Sequence, residues 1–400
     1  MKILVANLGS TSFKYRLFSM DGRDERALAK GGYERVEDFG AVIEAALEGL
    51  VADGHLENVD DLDAVGFKTV LGRNLSGCVE ADDRVLEALD GLARIAPAHN
   101  PAYANGIRQF RRLTRARLVA LFETSFYQWV PEHAKRYAVP ESWYEAGIRR
   151  YGFHGASHKF IAGRSAEFLG RTDVADRVRG LYVDGPGEEP EGPPLRVVSC
   201  HLGGSSSVTG IRNGVAVGTS MGLSPQSGLP QNNRVGDLDS MAIPMACGEL
   251  GMTMEEALAA LTRESGLLGL SGVSNDLRDI REAADSGNSR ARLALDFLVD
   301  SIRHWIGAFA FQMGGLEAIV FTAGIGENQA DLRAAVCEGL ESFGIRLDPS
   351  ANTSGASGER DLSATDSRVR ILVIPTNEEL VVARETLRTL NKQATAGTAG

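Results

Sequence analysis

One local pattern occurs twice in the chain, and this repeat constrains the fold more than any other feature. An apolar run from Ile3 leads into the turn NLGSTS at Asn7 and out through a second apolar run. From Val197 an apolar run leads into HLGGSSS at His201 and again into a second strand-like run. A strand, a Gly/Ser/Thr turn and a second strand form a β-hairpin. The repeat predicts two related hairpins whose turns can approach a ligand closely, and two such turns facing each other would form a two-sided phosphate clamp.

Composition limits the class of protein. The chain has 400 residues, 43% hydrophobic and 24% charged, which is typical of a soluble globular protein with two domains. The formal net charge of −11 argues against nucleic acid as a partner, because phosphate-backbone binding needs a basic surface. It does not exclude a single nucleotide in a locally basic cleft. No run approaches about 20 apolar residues, so we expect no membrane span, no signal peptide and a cytoplasmic location.

The four cysteines are scattered and form no C-x-x-C pair. Such usage predicts reduced, mostly buried thiols in a reducing compartment rather than a disulfide framework or a zinc site. The residues concerned are Cys78, Cys200, Cys247 and Cys337.

Strand and helix signals alternate along the chain, which indicates an α/β fold. In the first half, helical stretches at 41–51 and 105–112 precede strand-like stretches at 64–67 and 118–122. The run DGPGEEPEGPP at 184–194 predicts a loop inserted near a domain junction. The second half contains a long amphipathic helix whose apolar stripe is Leu293, Leu295, Leu298, Ile302, Ile306 and Phe309.

The C-terminal part predicts further strand–turn–helix units. We expect strands at 316–321 and 370–374, a helix at 329–343 and a last helix at 377–390. The tail at 392–400 is rich in Ala, Gly and Thr and is predicted to be disordered.

The segment AGIGEN at 323–328 lies between a predicted strand and a predicted helix. Backbone N–H groups at such a helix start favour a phosphate or the ribose edge of a nucleotide. An ordinary tight turn explains the glycines equally well, because short Gly motifs carry little information. The chain has neither G-x-x-x-x-G-K-[ST] nor G-x-G-x-x-G, which argues against P-loop and Rossmann folds.

Two histidines stand four residues apart in YGFHGASH. No H-E-x-x-H motif accompanies them, so a metal pair lacks support. His154 is flanked by glycine and is a candidate donor to a phosphoryl oxygen, whereas we expect His158 to enter the next helix as a structural residue.

Three further polar residues are candidates for binding. Arg234 lies on a glycine-containing loop and could bind an oxyanion through its forked guanidinium, although a solvated loop arginine explains it as well. A capping box, T-x-x-E, accounts for Thr376 and Glu379. Glu378 is left unexplained, and with Asn7 it is a candidate oxygen ligand for a hard cation.

Together these segments resemble the acetate kinase/propionate kinase family, within the superfamily of sugar kinases, actin and the heat-shock chaperones. The resemblance runs from Met1 to about Asn391. Its specific stretches are NLGSTSFKYRLF at Asn7, AHNP at Ala98, FETSFYQWVP at Phe122, IRRYGFHGASH at Ile148, HLGGSSS at His201, GTSMGLSP at Gly218, NRVGD at Asn233, NDLRDI at Asn275, FTAGIGEN at Phe321 and PTNEEL at Pro375.

The resemblance implies two duplicated ribonuclease-H-like domains with a cleft between them. The first would span 1–150 and be joined by the C-terminal helix at 377–391, and the second, nucleotide-binding domain would span 151–375. It also implies ATP as co-substrate, Mg²⁺ (or Mn²⁺), reversible phosphoryl transfer to a short-chain carboxylate, and a homodimer.

The family's functional positions fall on defined residues of this chain. Glu123, His154 and Arg234 take the catalytic positions, and Asn7 and Glu378 take the metal-binding positions. The nucleotide-binding positions are His201, Leu202, Gly203, Gly204, Ser205, Asp276, Leu277, Arg278, Gly324, Ile325, Gly326, Glu327 and Asn328. The substrate-binding positions are Lys68, Val70, Ala98, Phe153 and Pro225.

Several of these positions depart from the family pattern. Glu123 stands where the family has its catalytic aspartate, and Tyr127 replaces a histidine. Lys68 replaces the arginine that holds the substrate, which keeps the charge but loses the bidentate fork; Arg73 is a candidate to compensate. Ala98 replaces a leucine and would enlarge the acyl pocket, an adjustment of roughly 1–3 kcal/mol per methylene.

Three hypotheses follow. The first is a carboxylate kinase that uses direct in-line transfer, since the acceptor is already an anion. The second is a related phosphotransferase with a drifted acceptor, which a panel of carboxylates would distinguish. The third is a catalytically weak ATP-binding sensor, which would bind ATP without turnover.

Overall fold

Two six-stranded mixed sheets, one in each half of the chain, form the framework of the protein. The computed structural model describes residues 1–21, 24–72, 75–93 and 99–397, with side chains up to residue 395. The strands are β1 (Lys2–Leu8), β2 (Ser12–Asp21), β3 (Asp24–Glu34), β4 (Ala64–Thr69), β5 (Cys78–Glu80), β6 (Arg117–Phe122), β7 (Arg196–His201), β8 (Ser207–Arg212), β9 (Val215–Thr219), β10 (Ala318–Thr322), β11 (Arg360–Asp361) and β12 (Arg370–Val373).

The two sheets repeat one topology. The first has the order β3-β2-β1-β4-β6-β5 and the second β9-β8-β7-β10-β12-β11. In each, an antiparallel hairpin carries the predicted turn: Asn7 pairs with Lys14 in the first, and His201 pairs with Ser207 in the second. In each sheet, the first strand of the hairpin also pairs in parallel with a later strand, and that strand pairs in parallel with a third. These parallel sets are β1-β4-β6 and β7-β10-β12. The predicted duplicated α/β fold is confirmed.

Helices connect and cover the strands, and several begin at side chains that accept hydrogen bonds from free backbone N–H groups. Asp38 accepts from Gly40 and Ala41, and Thr253 and Glu256 form a complete capping box. The helices are α1 (Phe39–Ala52), α2 (Asp83–Gly91), α3 (Asn100–Leu113), α4 (Glu132–Lys135), α5 (Glu141–Glu145), α6 (Gly155–Phe168), α7 (Thr172–Asp184), α8 (Ala242–Glu249), α9 (Met254–Arg263), α10 (Gly266–Ser271), α11 (Leu277–Asp285), α12 (Ser289–Met313), α13 (Ala323–Asn328), α14 (Ala330–Cys337), α15 (Pro349–Thr353) and α16 (Glu378–Gly397).

Both faces of each sheet are covered by helices. In the first sheet, α1, α2 and α3 pack on one face and α16 on the other. In the second sheet, α6 and α7 pack on one face and α12 on the other. The predicted stripe of α12 is buried except for Leu293, which is 53% exposed. No helix in the described part of the chain is long and apolar enough to cross a membrane.

The last helix lies against strands from the opposite end of the chain. Val382 is fully buried in a cluster with Ile3 and Val5 of β1, as expected for a C-terminal helix that joins the first domain. The boundaries at residues 150 and 375 remain a prediction. The Gly/Pro-rich run at 184–194 lies between the end of α7 and the start of β7.

Local structure differs from the sequence prediction at three places. Residues 323–328 form a short helix, α13, rather than a turn, and the helix expected at 329–343 ends at Cys337. The tail predicted to be disordered continues α16 as far as Gly397.

The predicted capping box at Thr376 is also wrong. Asn377 accepts the hydrogen bond from the Leu380 N–H at 3.1 Å, so Asn377 caps the helix. Glu379 instead pairs with Arg16 of β2 at 3.0 Å. A tertiary ion pair has therefore replaced the local contact that the motif suggested.

Candidate active site in the interdomain cleft

A cavity of about 530 Å³ opens where the end of β1 meets β4 and the start of α16. Asn7, Lys68 and Glu378 line it together, although they are far apart in sequence. The His201 ring is close enough to Glu378 and Lys68 for both charges to act on its pKa. The turns of the two hairpins therefore face one cleft, as the repeat predicted.

Lys68 lies between two carboxylates. Its Nζ donates to Glu378 Oε2 at 2.5 Å and is 3.8 Å from Glu123 Oε1. Burial opposes the charged form of Lys68, but the two carboxylates outweigh it and raise the pKa of the ammonium. Burial would likewise raise the pKa of Glu378, yet attraction to Lys68 and His201 lowers it. Lys68 and Glu378 therefore form a charged pair.

Glu123 is a buried acid with unused oxygens. It follows β6, and neither carboxylate oxygen has a hydrogen-bond partner of good geometry among the described residues. Burial raises the pKa of Glu123 to about 7, against the attraction of Lys68 and with repulsion from Glu378. Nearby backbone N–H groups of Gly155 and Ala156 reduce this shift. A buried carboxylate without hydrogen-bond partners, next to Lys68, is a candidate ligand position.

The first turn of α6 is packed against the segment that carries Glu123. The Gly155 N–H donates to the Glu123 carbonyl at 3.0 Å, and a Cβ on Gly155 would lie only 2.1 Å from that oxygen. The preceding residue, His154, adopts the left-handed region with φ of 59°, which non-glycine residues rarely occupy. Only glycine at 155 allows His154 and Glu123 to approach each other in this way.

Three histidines meet on the floor of the cleft. The rings of His154 and His201 stack with centroids 4.2 Å apart. Ser207 Oγ lies 2.8 Å from both His154 Nδ1 and His158 Nε2, and His158 Nδ1 lies 2.9 Å from Ser199 Oγ. His158 is thus the structural residue that the sequence predicted, and it also orients His154 through Ser207.

Burial keeps all three histidines neutral. It lowers the pKa of His201 to about 4 and places the pKa values of His154 and His158 well below the ordinary value, where repulsion from His201 adds to the effect. His154 can therefore offer one ring N–H to an anionic ligand as a neutral donor. Its other nitrogen is held by Ser207.

Arg234 is held by neutral acceptors. Its Nη1 donates to Gln231 Oε1 at 3.1 Å, to Ser205 Oγ at 3.3 Å and to the Pro225 carbonyl at 3.4 Å. No carboxylate pairs with it in the described part of the chain, and burial lowers its pKa. A half-buried guanidinium without an acidic partner favours an incoming anion.

The predicted nucleotide segments adjoin one another in part. The Leu202 carbonyl accepts from the Ile325 and Gly326 N–H groups at 2.8 and 3.1 Å, which joins the second hairpin turn to α13. These two N–H groups are therefore structural and unavailable to a ligand. Beneath them the fully buried Arg333 donates to the carbonyls of Gly326 and Glu327.

The segment Asp276–Arg278 lies at the start of α11, where Arg278 is exposed and Leu277 is buried. Asp276 caps the helix and forms a local ion pair with Arg278, which lowers the pKa of Asp276 to about 2. Another α11 residue, Arg281, pairs with Asp331 of α14, and this pair ties the segment to the elements that follow α13.

The predicted acyl pocket is partly assembled. Phe153 is buried in a small apolar cluster with Leu71, Leu92 and Met221, and Val70 packs against it. Pro225 adjoins Arg234 through its carbonyl. Ala98 and Arg73 lie outside the described residues.

Sequence reasoning missed several residues of the cleft. His99 lies beside Arg234 and Lys68, and burial followed by these two charges lowers its pKa. Tyr103, one turn further along α3, donates to Asn7 Oδ1 at 3.0 Å. The AHNP stretch was a signal for His99, and the HLGGSSS stretch contains Ser207, whereas nothing local pointed to Tyr103 or Gln231.

The oxygen ligands near Lys68 suit a magnesium ion. Mg²⁺ in kinases is bound by one or two carboxylates together with substrate phosphates. Glu378, the orphaned carboxylate of Glu123 and the Asn7 side chain could supply such ligands. Within the described residues, no cluster of three or more His, Cys, Asp or Glu side chains forms a closed metal cage.

Comparison with known proteins agrees with this geometry. The family model of the Acetokinase family matches residues 32–180 and 188–384. The acetate kinases of Geobacillus sp. (strain WCH70) and Dictyoglomus thermophilum are 38% and 40% identical, each over 98% of this chain and 99% and 100% of the relative.

Solved structures show the same relationship. Acetate kinase of Porphyromonas gingivalis matches with a TM-score of 0.84 and 33% identity, over 97% of this chain and 99% of that one. A propionate kinase from Francisella tularensis matches with a TM-score of 0.81 and 30% identity, over 96% and 98%. The chain is a member of the acetokinase family.

Proposed function

We propose that the protein catalyses the reversible, ATP-dependent phosphorylation of acetate or propionate to the acyl phosphate. The observation that carries this proposal is one cleft with two kinds of charge. Arg234, which has no acidic partner among the described residues, and neutral His154 can donate hydrogen bonds to the oxygens of a phosphoryl group. Glu378 and Glu123 can hold the cation that accompanies the phosphates.

The acceptor needs little chemical activation. A short-chain carboxylate is already an anion near pH 7, so no general base is required for its attack on phosphorus. Catalysis then depends on positioning and on neutralising charge. Arg234 and the free ring N–H of His154 would donate to the equatorial oxygens of the phosphoryl group in transfer.

We assign the metal to Asn7 and Glu378, with Glu123 reaching it directly or through water. When bound, Mg²⁺ (or Mn²⁺) would neutralise charge on the phosphates. Tyr103 fixes the Asn7 side chain by donating to Oδ1, and Oδ1 retains a lone pair for a cation.

The nucleotide and the acyl chain would lie on either side of the transferred phosphoryl group. We assign the nucleotide to the segments His201–Ser205, Asp276–Arg278 and Gly324–Asn328. We assign the acyl chain to the apolar cluster around Phe153 together with Val70, and we keep Ala98 as a predicted pocket residue from the family resemblance. Lys68 is the nearest cation for its carboxylate.

We also propose a homodimer. Five apolar side chains on and around α8 and α9 are between 48% and 73% exposed, a surface that is costly to leave in water. A second copy of the chain is the proposed occupant of this surface. The residues are Met241, Met245, Leu250, Met254 and Leu258.

A light-scattering measurement on the variant Met245→Glu tests the homodimer. If the surface joins two copies, the variant should shift towards the monomer mass while the wild type remains dimeric. A wild type that is monomeric at micromolar concentrations would contradict the proposal. We place the enzyme in the cytoplasm, where its four cysteines would remain free thiols, as they are in the structure.

A hydroxamate assay with MgATP and a panel of formate, acetate, propionate and butyrate tests the activity. We expect acyl phosphate from acetate or propionate. The variant Arg234→Ala should lose this activity while still binding ATP, because it removes a transition-state contact rather than a nucleotide contact. Arg292→Ala, at an exposed ion pair with Asp285, is the matched control and should remain active.

The possible outcomes separate the hypotheses. No product from any carboxylate would overturn the assignment of substrate. Full activity of Arg234→Ala would overturn its role at the phosphoryl group.

A further inference from the structure

Lys68 occupies the electrostatic position that a metal ion would take. Its ammonium is in contact with Glu378 Oε2 and is 3.8 Å from Glu123 Oε1, and these are the two carboxylates assigned to the cation. All three side chains are at most 20% exposed, so water and salt screen them poorly. Glu378 is the only side chain in the described part of the chain to which Lys68 Nζ donates a hydrogen bond.

A divalent cation and this ammonium cannot share Glu378 without strong repulsion. At separations near 4 Å, like charges in a poorly screened site repel by several kT. An arriving cation therefore has to displace Lys68 from Glu378. The lysine can move, because its charge is carried on a flexible four-carbon stem rather than on a planar fork held at two points.

The displaced ammonium would be left without its counter-charge beside the acyl pocket. Lys68 and Val70 are neighbours at the end of β4, and Val70 packs against the Phe153 cluster. Arg234 does not take the place of Lys68 beside the acyl pocket, because its guanidinium is held by Gln231 in the second half of the chain. The carboxylate of a substrate is then the nearest anion able to neutralise Lys68.

We propose that Lys68 is a displaceable counter-ion that couples metal binding to carboxylate binding. In the empty cleft it neutralises Glu378. When a divalent cation binds, Lys68 moves from Glu378 to the carboxylate of the acceptor. Metal and carboxylate therefore bind with positive cooperativity, and free metal binds weakly in the absence of the acceptor. The inference rests on the proposed function, since it takes the acceptor to be a carboxylate.

Titration of Mn²⁺ into the full-length protein without nucleotide, followed by electron paramagnetic resonance, measures this coupling. Lys68→Met should bind Mn²⁺ roughly tenfold more tightly than the wild type, because it removes the competing charge. Lys68→Gln is a second variant that can still donate a neutral hydrogen bond to Glu378. Lys68→Arg, which keeps the charge, is the matched control and should not tighten Mn²⁺ binding.

Repeating the Mn²⁺ titration with saturating propionate tests the second part of the proposal, which is the coupling between metal binding and carboxylate binding. Coupling between two ligands is reciprocal, so propionate should tighten Mn²⁺ binding to the wild type roughly fivefold or more. It should have no such effect on Lys68→Met or Lys68→Gln.

Unchanged or weaker Mn²⁺ binding in both uncharged variants would overturn the inference, as would a propionate effect that persists in them. The hydroxamate assay on the wild type is independent of these titrations. If the wild type makes acyl phosphate while the Mn²⁺ results go against Lys68, only the coupling fails and the proposed function stands.

Discussion

Replacing Glu123 by glutamine should stabilise the folded protein, and the gain should grow as the pH rises. The Glu123 side chain is nearly inaccessible to water, and no described residue forms a hydrogen bond with its oxygens. Burial raises its pKa from 4.5 to about 7, although Lys68 attracts the charged form. The folded protein thus keeps a proton that the unfolded chain has already lost. The stability that this proton contributes is fully present below pH 4.5 and is lost as the pH rises through 7.

The two pKa values set the size of the effect. Proton linkage with values of 4.5 and about 7 predicts a loss of about 1 kcal/mol between pH 6 and pH 8.5. Glutamine has nearly the same volume and does not titrate, so Glu123→Gln avoids this loss. The difference in unfolding free energy between variant and wild type should widen by about 1 kcal/mol over this interval.

Urea unfolding followed by tryptophan fluorescence, in EDTA at pH 6, 7 and 8.5, measures the difference. The series starts at pH 6 because the isoelectric point is about 5.3, where solubility falls. Asp285→Asn, at an exposed ion pair with Arg292, is the matched control: it also removes one carboxylate, but not one that acts on Glu123, so its unfolding free energy should follow the wild-type pH profile. Parallel pH profiles for wild type and Glu123→Gln would show that Glu123 is not a buried, protonated acid.

Two further substitutions test how the site is supported. Gly155→Ala should destabilise the folded protein by about 3 kcal/mol or more, because the added Cβ would lie 2.1 Å from the Glu123 carbonyl oxygen. In the control Gly163→Ala, on the same helix, the added Cβ meets nothing closer than 3.5 Å, so this variant should be neutral or mildly stabilising. Urea unfolding of both variants measures the difference. Arg333→Met should destabilise by about 3 kcal/mol and weaken ATP binding measured by calorimetry, because it removes the Arg333 hydrogen bonds to the Gly326 and Glu327 carbonyls and to Asn352; unchanged ATP affinity would show that the α13 backbone does not contact the nucleotide.

The repeat and the motifs predict much of the framework. The hairpins and the burial of α12 follow from hydrophobic periodicity and turn residues, which act over a few positions. The presence of His154, Arg234 and Glu378 in one site was predicted only through resemblance to a family. No local pattern relates residues that are more than a hundred positions apart.

The failures have a common physical cause. The capping box that the T-x-x-E motif at Thr376 predicted does not form, because Glu379 instead forms an ion pair with Arg16 on β2. No local pattern in the sequence contains that contact. The AGIGEN segment forms a short helix in which the Ile325 and Gly326 N–H groups donate to the Leu202 carbonyl. The motif predicted that such N–H groups would bind a ligand, but a tertiary contact occupies them. Long-range partners can outweigh a local preference of about 1 kcal/mol.

The amino-acid sequence by itself determined a duplicated α/β protein with two Gly/Ser hairpin turns, since chain alternation and turn chemistry are local properties. Only the tertiary structure decided which charges neutralise one another. Among the residues that the structure describes, it placed Lys68 against Glu378, left the Glu123 oxygens without a hydrogen-bond partner and kept Arg234 apart from carboxylates. Those pairings arise because folding buries side chains from both ends of the chain in one cleft, where poor screening makes each neighbour's charge decisive.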